Sequence, residues 1–450
     1  MKKTTSFTEG KIMQPLILFA LPVLFALFLQ AMYGAADLLI VGKFAHSADV
    51  SAVSTGSQIM MTLTNLISSF AMGTTILLGQ QIGSGKKEDG GHTVGTSIVL
   101  FSIIAIIMSA VLVIFSPQIC GVMNAPEEAF DKTVEYVRIC GSGMLVIVAY
   151  NLISCIFRGL GDSKTPLFTV AIACVFNIAG DLLLCAVFHL GTRGAALATV
   201  FAQIISVVVS LAFIRKKELP FVMKRKDIRI NKYILRKITK FGAPIALQDI
   251  LVNTSFLIIL AIVNRMGVTA SAGVGVAEKV CAFIMLISLA FMQSISTFVA
   301  QNYGAGHIDR AKKALHYGTA VSFVIGIGMF FLSYFHGNLL AGIFSSDSDV
   351  IAASADYLRA YSIDCIFTAV FFCYTGFYNG IGMTKFVMIQ GIIGAFGIRV
   401  PVSYLMSLQP NPTLFSIGLS SPMSSVVQFI LCLGFMYYLN KKNFKTAEHL

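Results

Sequence analysis

Apolar stretches of 20 or more residues recur along this chain, and they constrain its fold more than any other feature. The hydrocarbon core of a bilayer is about 30 Å thick, so a helix needs roughly 20 apolar residues to cross it. The stretches are continuously apolar and do not alternate, which favours helices over a barrel. We therefore predict an all-α integral membrane protein with twelve crossings, near residues 14–42, 50–82, 93–116, 134–158, 165–188, 191–214, 241–264, 270–300, 316–335, 357–380, 385–407 and 414–440.

The composition excludes several other classes of protein. Only 12% of the residues are charged, whereas a soluble chain has about 25%. The nine cysteines are scattered singly through apolar segments and read as small buried hydrophobes, with no CxxC spacing for a metal. No nucleophile elbow, phosphate-binding loop or dinucleotide fingerprint is present. We expect no enzyme activity, no cofactor and no structural metal.

The net charge of +12 is concentrated between residues 215 and 240, which hold eleven basic and two acidic residues. Few aromatic side chains are available there for stacking on bases, so anionic lipid headgroups are a better partner than nucleic acid. Apolar residues recur at near-helical spacing in this segment, at Ile230, Ile234, Ile238 and Phe241. The pattern favours a helix lying on the membrane surface, with a solvated loop as the alternative.

The orientation follows from the distribution of lysine and arginine. Twelve crossings place both termini and the basic segment on one side of the membrane. That side carries 25 lysines and arginines, and the opposite side carries 7. Because basic loops stay in the cytoplasm, we expect both termini to be cytoplasmic.

An internal repeat divides the chain into halves. The segment around Gly83 resembles that around Gly304, and the segment around Gly161 resembles that around Gly382, each at an offset of 221 residues. Six crossings per repeat keep both copies in one orientation, so we expect lobes related by a pseudo-twofold axis along the membrane normal. We assign residues 1–214 to the first lobe, 215–240 to a basic cytoplasmic linker with an interfacial helix, and 241–450 to the second lobe with a short C-terminal tail.

Four aspartates lie well inside predicted crossings, at Asp37, Asp181, Asp249 and Asp364. A carboxylate inside a membrane is costly enough to indicate function. At 1.5 Å per residue, Asp37, Asp181 and Thr199 lie about 9, 10 and 12 Å from the outer ends of their crossings. They therefore share one layer in the outer half of the first lobe.

Asn177 precedes Asp181 by one helical turn, so both side chains face the same way. Two carboxylates close together in a low dielectric can share a proton or recruit a cation such as Na⁺. The alternative is that each acid is merely hydrogen-bonded to a neighbouring helix.

The second lobe lacks this pair, because the repeat places Ile259 and Val402 at the corresponding positions. Its polar candidates for a cavity are Gln248, Asp249, Asn253, Asp364 and Arg399. Asp364 and Arg399 either form a buried pair or face the cavity separately. Acidic groups in a hydrophobic cavity favour a cationic organic substrate.

One combination of residues and motifs is typical of a known family. It consists of Pro22, Gln30, Tyr33 and Asp37, the run FRGLGDSKTPL, and Asn177 and Asp181 followed by GTRGAALATVFAQ. The chain resembles the multidrug and toxic compound extrusion (MATE) family, specifically its DinF-like branch. The resemblance covers essentially the whole sequence.

The resemblance implies an alternating-access antiporter, a monomer in the bacterial plasma membrane, that exports organic cations and other xenobiotics in exchange for H⁺ or Na⁺. It implies a cation site at Asp37, Asn177, Asp181 and Thr199, with Gln30, Tyr33 and Asn151 nearby. Bending of the first helix at Pro22 would be the response to ion binding. The alternative function is a flippase for lipid-linked saccharides, which would need a basic cavity for its pyrophosphate.

Overall fold

In the computed structural model, residues 7–216, 219–221, 223–442 and 444 are described. These residues form helices joined by short turns, with no strand among them. The basic segment is therefore described only in part, and the predicted C-terminal tail lies outside the described residues except for Lys441, Lys442 and Phe444. The all-α prediction is confirmed.

The helices of the first half begin with α1, which continues without a break through Pro22. The bounds are α1 Met13–Phe44, α2 Ser47–Gly83, α3 Lys87–Ile114, α4 Ser116–Val122, α5 Phe130–Ser142, α6 Met144–Gly159, α7 Lys164–Asp181 and α8 Gly191–Lys216, with a π-helical segment at Leu182–Val187.

The second half has a similar order of helices, except that the unbroken helix α13 takes the place of a broken pair such as α5 and α6. Its bounds are α9 Lys232–Val263, α10 Val268–Gly304, α11 Ile308–Phe335, α12 Gly337–Gly342, α13 Ser348–Gly380, α14 Thr384–Ile392, α15 Val400–Ser407, α16 Leu414–Gly418 and α17 Ser420–Lys441, with a π-helical segment at Ile393–Arg399.

Among the described residues, eleven elements are long and apolar enough to cross a membrane, or twelve if one bent pair counts as a single crossing. That pair is α5 and α6, which meet at an angle of 56° across Gly143. A side chain at Gly143 would lie 2.7 Å from Val200 of α8, so the glycine permits close packing at the bend. The crossing that we predicted over 134–158 is therefore broken in its middle.

The repeat is visible in the backbone of the turns. Gly85 and Gly306 have φ angles of 72° and 76°, and Gly161 and Gly382 have φ angles of 82° and 86°. Both pairs are separated by 221 residues, and the left-handed conformation of each turn favours glycine. The two repeat motifs thus mark equivalent helix ends.

The chain divides into two compact units, one of Leu21–Gly242 and one of Met1–Ala20 with Ala243–Leu450. The boundary between the units lies one residue ahead of Pro22 in α1 and one residue ahead of Pro244 in α9. The first turns of α1 therefore belong to the unit of the second half. The lobe limits drawn from the sequence stay a prediction.

In the unit Leu21–Gly242, the residues expected to form an interfacial helix are instead the first turns of α9. Ile234 and Ile238 are buried. Side chains at Gly73 and Gly242 would collide with the backbone of Ile238 and Phe70, respectively, so α9 packs closely on α2 here. The apolar face that we expected to meet lipid therefore packs largely on protein.

In the other unit, the segment Phe7–Lys11 is held against the turn between α10 and α11. Phe7 packs on the rings of Phe19 and Phe298, at centroid distances of 5.3 and 5.1 Å. The Arg310 guanidinium donates hydrogen bonds to the carbonyl oxygens of Phe7, Glu9, Gly10 and Lys11 at 2.7–3.1 Å. This segment anchors the start of α1.

Candidate ion-coupling site

The carboxyl group of Asp37 on α1 lies beside the side chains of Asp181 and Asn177 at the end of α7 and Thr199 on α8. Asp37 is 4% exposed, Asn177 is 2% exposed and Asp181 is fully buried. Three helices thus bring together the three residues that the sequence placed at one depth and Asn177, which it placed one turn from Asp181. Their role in ion binding stays a proposal.

The polar atoms of this cluster are buried without adequate partners. One oxygen of Asp37, both oxygens of Asp181 and both amide atoms of Asn177 have no hydrogen bond in the described part of the chain. The side chains of these three residues lie close together, but the atoms named above do not meet the geometry of a hydrogen bond. Buried polar atoms in proteins are nearly always paired, so this donor set fits a proton or a small cation with oxygen ligands.

The local backbone at Asp181 is unusual. The residue ends α7, and the next six residues, Leu182–Val187, form a π-helical turn. Such turns are rare and concentrate at functional sites. The sequence reasoning missed this feature, because a hydrophobic run gives the same signal for either kind of helix.

The other predicted pocket residues of this unit differ in their placement. Tyr33 lies beside Asp37 and Gln203, and Gln30 donates a hydrogen bond to the Tyr150 hydroxyl at 3.4 Å. Tyr33 thus borders the cluster directly.

Asn151 is occupied elsewhere. It accepts a hydrogen bond from Ser68 of α2 at 2.9 Å and donates one to the Ile147 carbonyl at 2.8 Å. Its visible role is to join α2 to α6.

Two further residues at the site were not predicted. Tyr136 of α5 is almost fully buried and lies beside both Asp37 and Thr199. Gln203 follows Thr199 by one turn of α8, and its buried carbonyl oxygen has no hydrogen-bond partner. The four-residue spacing from Thr199 could have identified Gln203, whereas nothing in its own segment distinguishes Tyr136.

A further buried acid, also missed, connects helices in the same unit. Asp49 of α2 forms an ion pair with Lys132 at 2.7 Å and accepts hydrogen bonds from the amide and hydroxyl groups of Thr192 at 3.2 and 2.8 Å. Gly191 has a φ of 50°, and a side chain there would lie 2.7 Å from the Asp49 carboxylate. With its partners in place, Asp49 fixes α2, α5 and α8 together.

In the unit of the second half, Asp364 and Arg399 are buried near each other. No ion pair joins them within the described ranges. Arg399 donates a hydrogen bond to Ser255 at 3.2 Å and lies 4.4 Å from the centre of the Phe256 ring. Asp364 lies beside Thr368 and Ser425. The two charges thus share one polar region while contacting different partners.

Two of the remaining candidates on α9 have other contacts. Asn253 is exposed and donates a hydrogen bond to the Asp249 carbonyl at 2.8 Å. Gln248 packs against Gly391, where a side chain would lie 2.6 Å from its amide nitrogen. The described ranges contain no group of three or more metal-binding side chains.

Helices long enough to cross a membrane, in two units with buried carboxylates, define a polytopic membrane protein of the transporter class. The MatE family model matches residues 22–183 and 244–405, once per half, which confirms the internal repeat. The chain therefore belongs to the MATE family of transporters and is not an enzyme.

Curated relatives match over nearly the whole chain. It is 24% identical over 446 residues to "Probable multidrug resistance protein YoeA" of Bacillus subtilis, covering 98% of this chain and 96% of that protein. It is 27% identical over 437 residues to "Probable multidrug resistance protein YpnP" of the same organism, covering 97% of each. It is 22% identical over 403 residues to "Multidrug export protein MepA" of Staphylococcus aureus, covering 89% and 88%.

Solved structures match the fold at low sequence identity. A MATE protein in complex with MaL6 superposes with a TM-score of 0.91 at 18% identity, covering 98% of this chain and 100% of that one. An outward-facing multidrug resistance MATE transporter of the MOP superfamily gives 0.91 at 18% identity, covering 98% and 99%. The two-lobe membrane fold is confirmed.

Proposed function

We propose that this protein is a multidrug efflux antiporter of a bacterial plasma membrane, with cytoplasmic termini, that acts as a monomer. It exports organic cations in exchange for H⁺ or Na⁺ by alternating access. The names of the relatives as multidrug resistance or export proteins support efflux. The coupling site is the cluster of Asp37, Asn177, Asp181 and Thr199.

The observation that carries the proposal is the pair of buried carboxyl groups with unpartnered oxygens. Two such groups in a low dielectric can hold one proton between them or coordinate one small cation. Binding of the ion removes negative charge from the pocket, and its release restores that charge. An organic cation is attracted only to the ion-free state, so the two ligands exclude each other.

The neighbouring groups support this exchange. Thr199 and Asn177 supply neutral oxygens for a small cation, and the Tyr33 and Tyr136 hydroxyls border Asp37. Pro22 lies in α1 fifteen residues before Asp37, where its missing amide weakens the helix and lets it bend. A flippase for lipid-linked saccharides would need basic groups for pyrophosphate, whereas this cluster is acidic.

Reconstitution in liposomes tests the proposal. We expect the wild type to move a fluorescent organic cation when a proton or sodium gradient is imposed, and running each gradient alone identifies the coupling ion. Asp37→Asn and Asp181→Asn should each abolish gradient-driven transport, because an amide cannot gain or lose a proton here. Asp89→Asn, the same change at an exposed position of α3, is the control and should transport normally.

Full gradient-driven transport in both site variants would contradict the site assignment. If the wild type transports the organic cation at a rate that depends on neither the proton nor the sodium gradient, antiport is contradicted.

A further inference from the structure

A long apolar groove opens on the unit Leu21–Gly242 between α3, α6 and α8, with a volume of about 320 Å³. Its walls include Ile98 and Phe101 of α3, Leu152 of α6, and Val207 and Leu211 of α8. Ser102 supplies the only polar side chain among the described residues that line it. No carboxyl group is among the described residues that line the groove, so they give it no anionic group with which to attract an organic cation.

The dimensions of the groove match one leaflet of a bilayer. Its lining runs from Val207 to Ile214 on α8 and from Leu145 to Leu160 on α6, which is about 10 and 22 Å at 1.5 Å per residue. Half of a bilayer core is about 15 Å thick. A single extended acyl chain therefore fits along it.

Three described residues that follow α8, Leu219, Phe221 and Met223, cover one end of the groove. Phe221 is buried against Leu78 and Val94, and Leu219 and Met223 complete the lining. A side chain at Gly90 would lie 2.6 Å from the Phe221 ring, so the glycine lets this cover pack closely on α3. The closed end thus lies where α8 leaves the membrane.

Basic residues adjoin this end of the groove along the chain. Arg215 and Lys216 are the last residues of α8, and Lys224 and Arg225 follow Met223 directly. All four are exposed. A phosphate group at this level would meet positive charge while its acyl chain lies in the groove, since basic residues attract anionic lipid at the membrane surface.

The geometry points to a binding site for one anionic phospholipid. One acyl chain lies between α3, α6 and α8, and the headgroup contacts Arg215, Lys216 and Lys224. The site is separate from the Asp37 cluster and does not depend on the identity of the transported compound.

Native mass spectrometry of the full-length protein tests the site, with phosphatidylglycerol or phosphatidylcholine added in detergent. We expect the wild type to retain one phosphatidylglycerol molecule and to bind it about tenfold more tightly than phosphatidylcholine. Ala149→Phe fills the groove and should remove this molecule. Val207→Phe fills the groove from α8 instead of α6, and it replaces the first variant in the test if Ala149→Phe does not fold. Leu257→Phe, at a 67% exposed position of α9, is the matched control.

The double variant Arg215→Gln with Lys216→Gln distinguishes binding of the headgroup from binding of the acyl chain. It should abolish the preference for phosphatidylglycerol and leave one weakly bound lipid of either kind. Lys441→Gln with Lys442→Gln, at the end of α17, is the charge-matched control and should keep the preference.

Unchanged retention of phosphatidylglycerol in both groove-filling variants would overturn the site. Equal affinity of the wild type for the two lipids would overturn the headgroup contacts. Displacement of the bound lipid by a transported cation, with no lipid preference in the wild type, would instead make the groove a drug-binding surface.

Discussion

Replacing Arg310 with glutamine should release the N-terminal segment while leaving the remaining fold intact. Arg310 donates four hydrogen bonds to carbonyl oxygens of residues 7–11, and three of the four are exposed to solvent. At the lower part of the net range for a hydrogen bond, about 0.5–1 kcal/mol each, the four together contribute about 2–4 kcal/mol. The shorter neutral amide cannot reach the same carbonyl oxygens.

Hydrogen–deuterium exchange measures this loss directly. Because a tenfold change in an equilibrium corresponds to about 1.4 kcal/mol, exchange in peptides covering residues 7–20 should become roughly 30- to 700-fold faster. Peptides from α13 and α17 should exchange at the wild-type rate. Lys313→Gln removes the same charge three residues later and should leave residues 7–20 protected.

Two results would refute this reasoning. Unchanged exchange of residues 7–20 in the Arg310 variant would mean that Phe7 and its aromatic neighbours hold the segment without the guanidinium. Equal acceleration in the Lys313 variant would mean that general charge, rather than the specific hydrogen bonds, holds it.

Three further predictions concern the ion pair, the packing and the orientation. Lys132→Met should lower the free energy of unfolding by about 2 kcal/mol, because it leaves the Asp49 carboxylate buried without a cation, and adding Asp49→Asn should recover most of the loss in a thermal unfolding assay. Gly376→Ala should sharply reduce the yield of folded protein in size-exclusion chromatography, because its side chain would lie 2.4 Å from a backbone oxygen of α10, whereas Gly434→Ala, with nothing within 4 Å, should be tolerated. The nine native cysteines are buried, so in intact cells an impermeant maleimide should label Glu127→Cys, at an exposed position on the proposed outer side, and spare Lys226→Cys. The reverse labelling would invert the proposed topology.

The sequence alone was sufficient to predict the class of fold and the composition of the candidate site. Asp37, Asp181 and Thr199 could be grouped because each depth follows from a fixed rise per residue along a helix. Asn177 joins them because it lies one helical turn before Asp181. The repeat could be found because its turns need glycine at Gly85, Gly161, Gly306 and Gly382.

The sequence could not predict features that depend on contacts between distant segments. The break between α5 and α6 depends on how closely Gly143 approaches Val200, and the start of α9 packs on α2 rather than on lipid. Tyr136 reaches the acid cluster from a different helix. None of these contacts has a signal within its own stretch of chain.

What the sequence by itself determined was that this chain crosses a membrane as helices, in two related halves, with carboxyl groups at one depth of the first half. These properties are local, since they follow from hydropathy, helical rise and the residues that turns require. Only the tertiary structure decided that the first turns of α1 pack with the second half, that the first turns of α9 pack with the first half, and which buried oxygens lie beside Asp37. Those outcomes depend on side-chain packing between segments more than 100 residues apart, which no local pattern encodes.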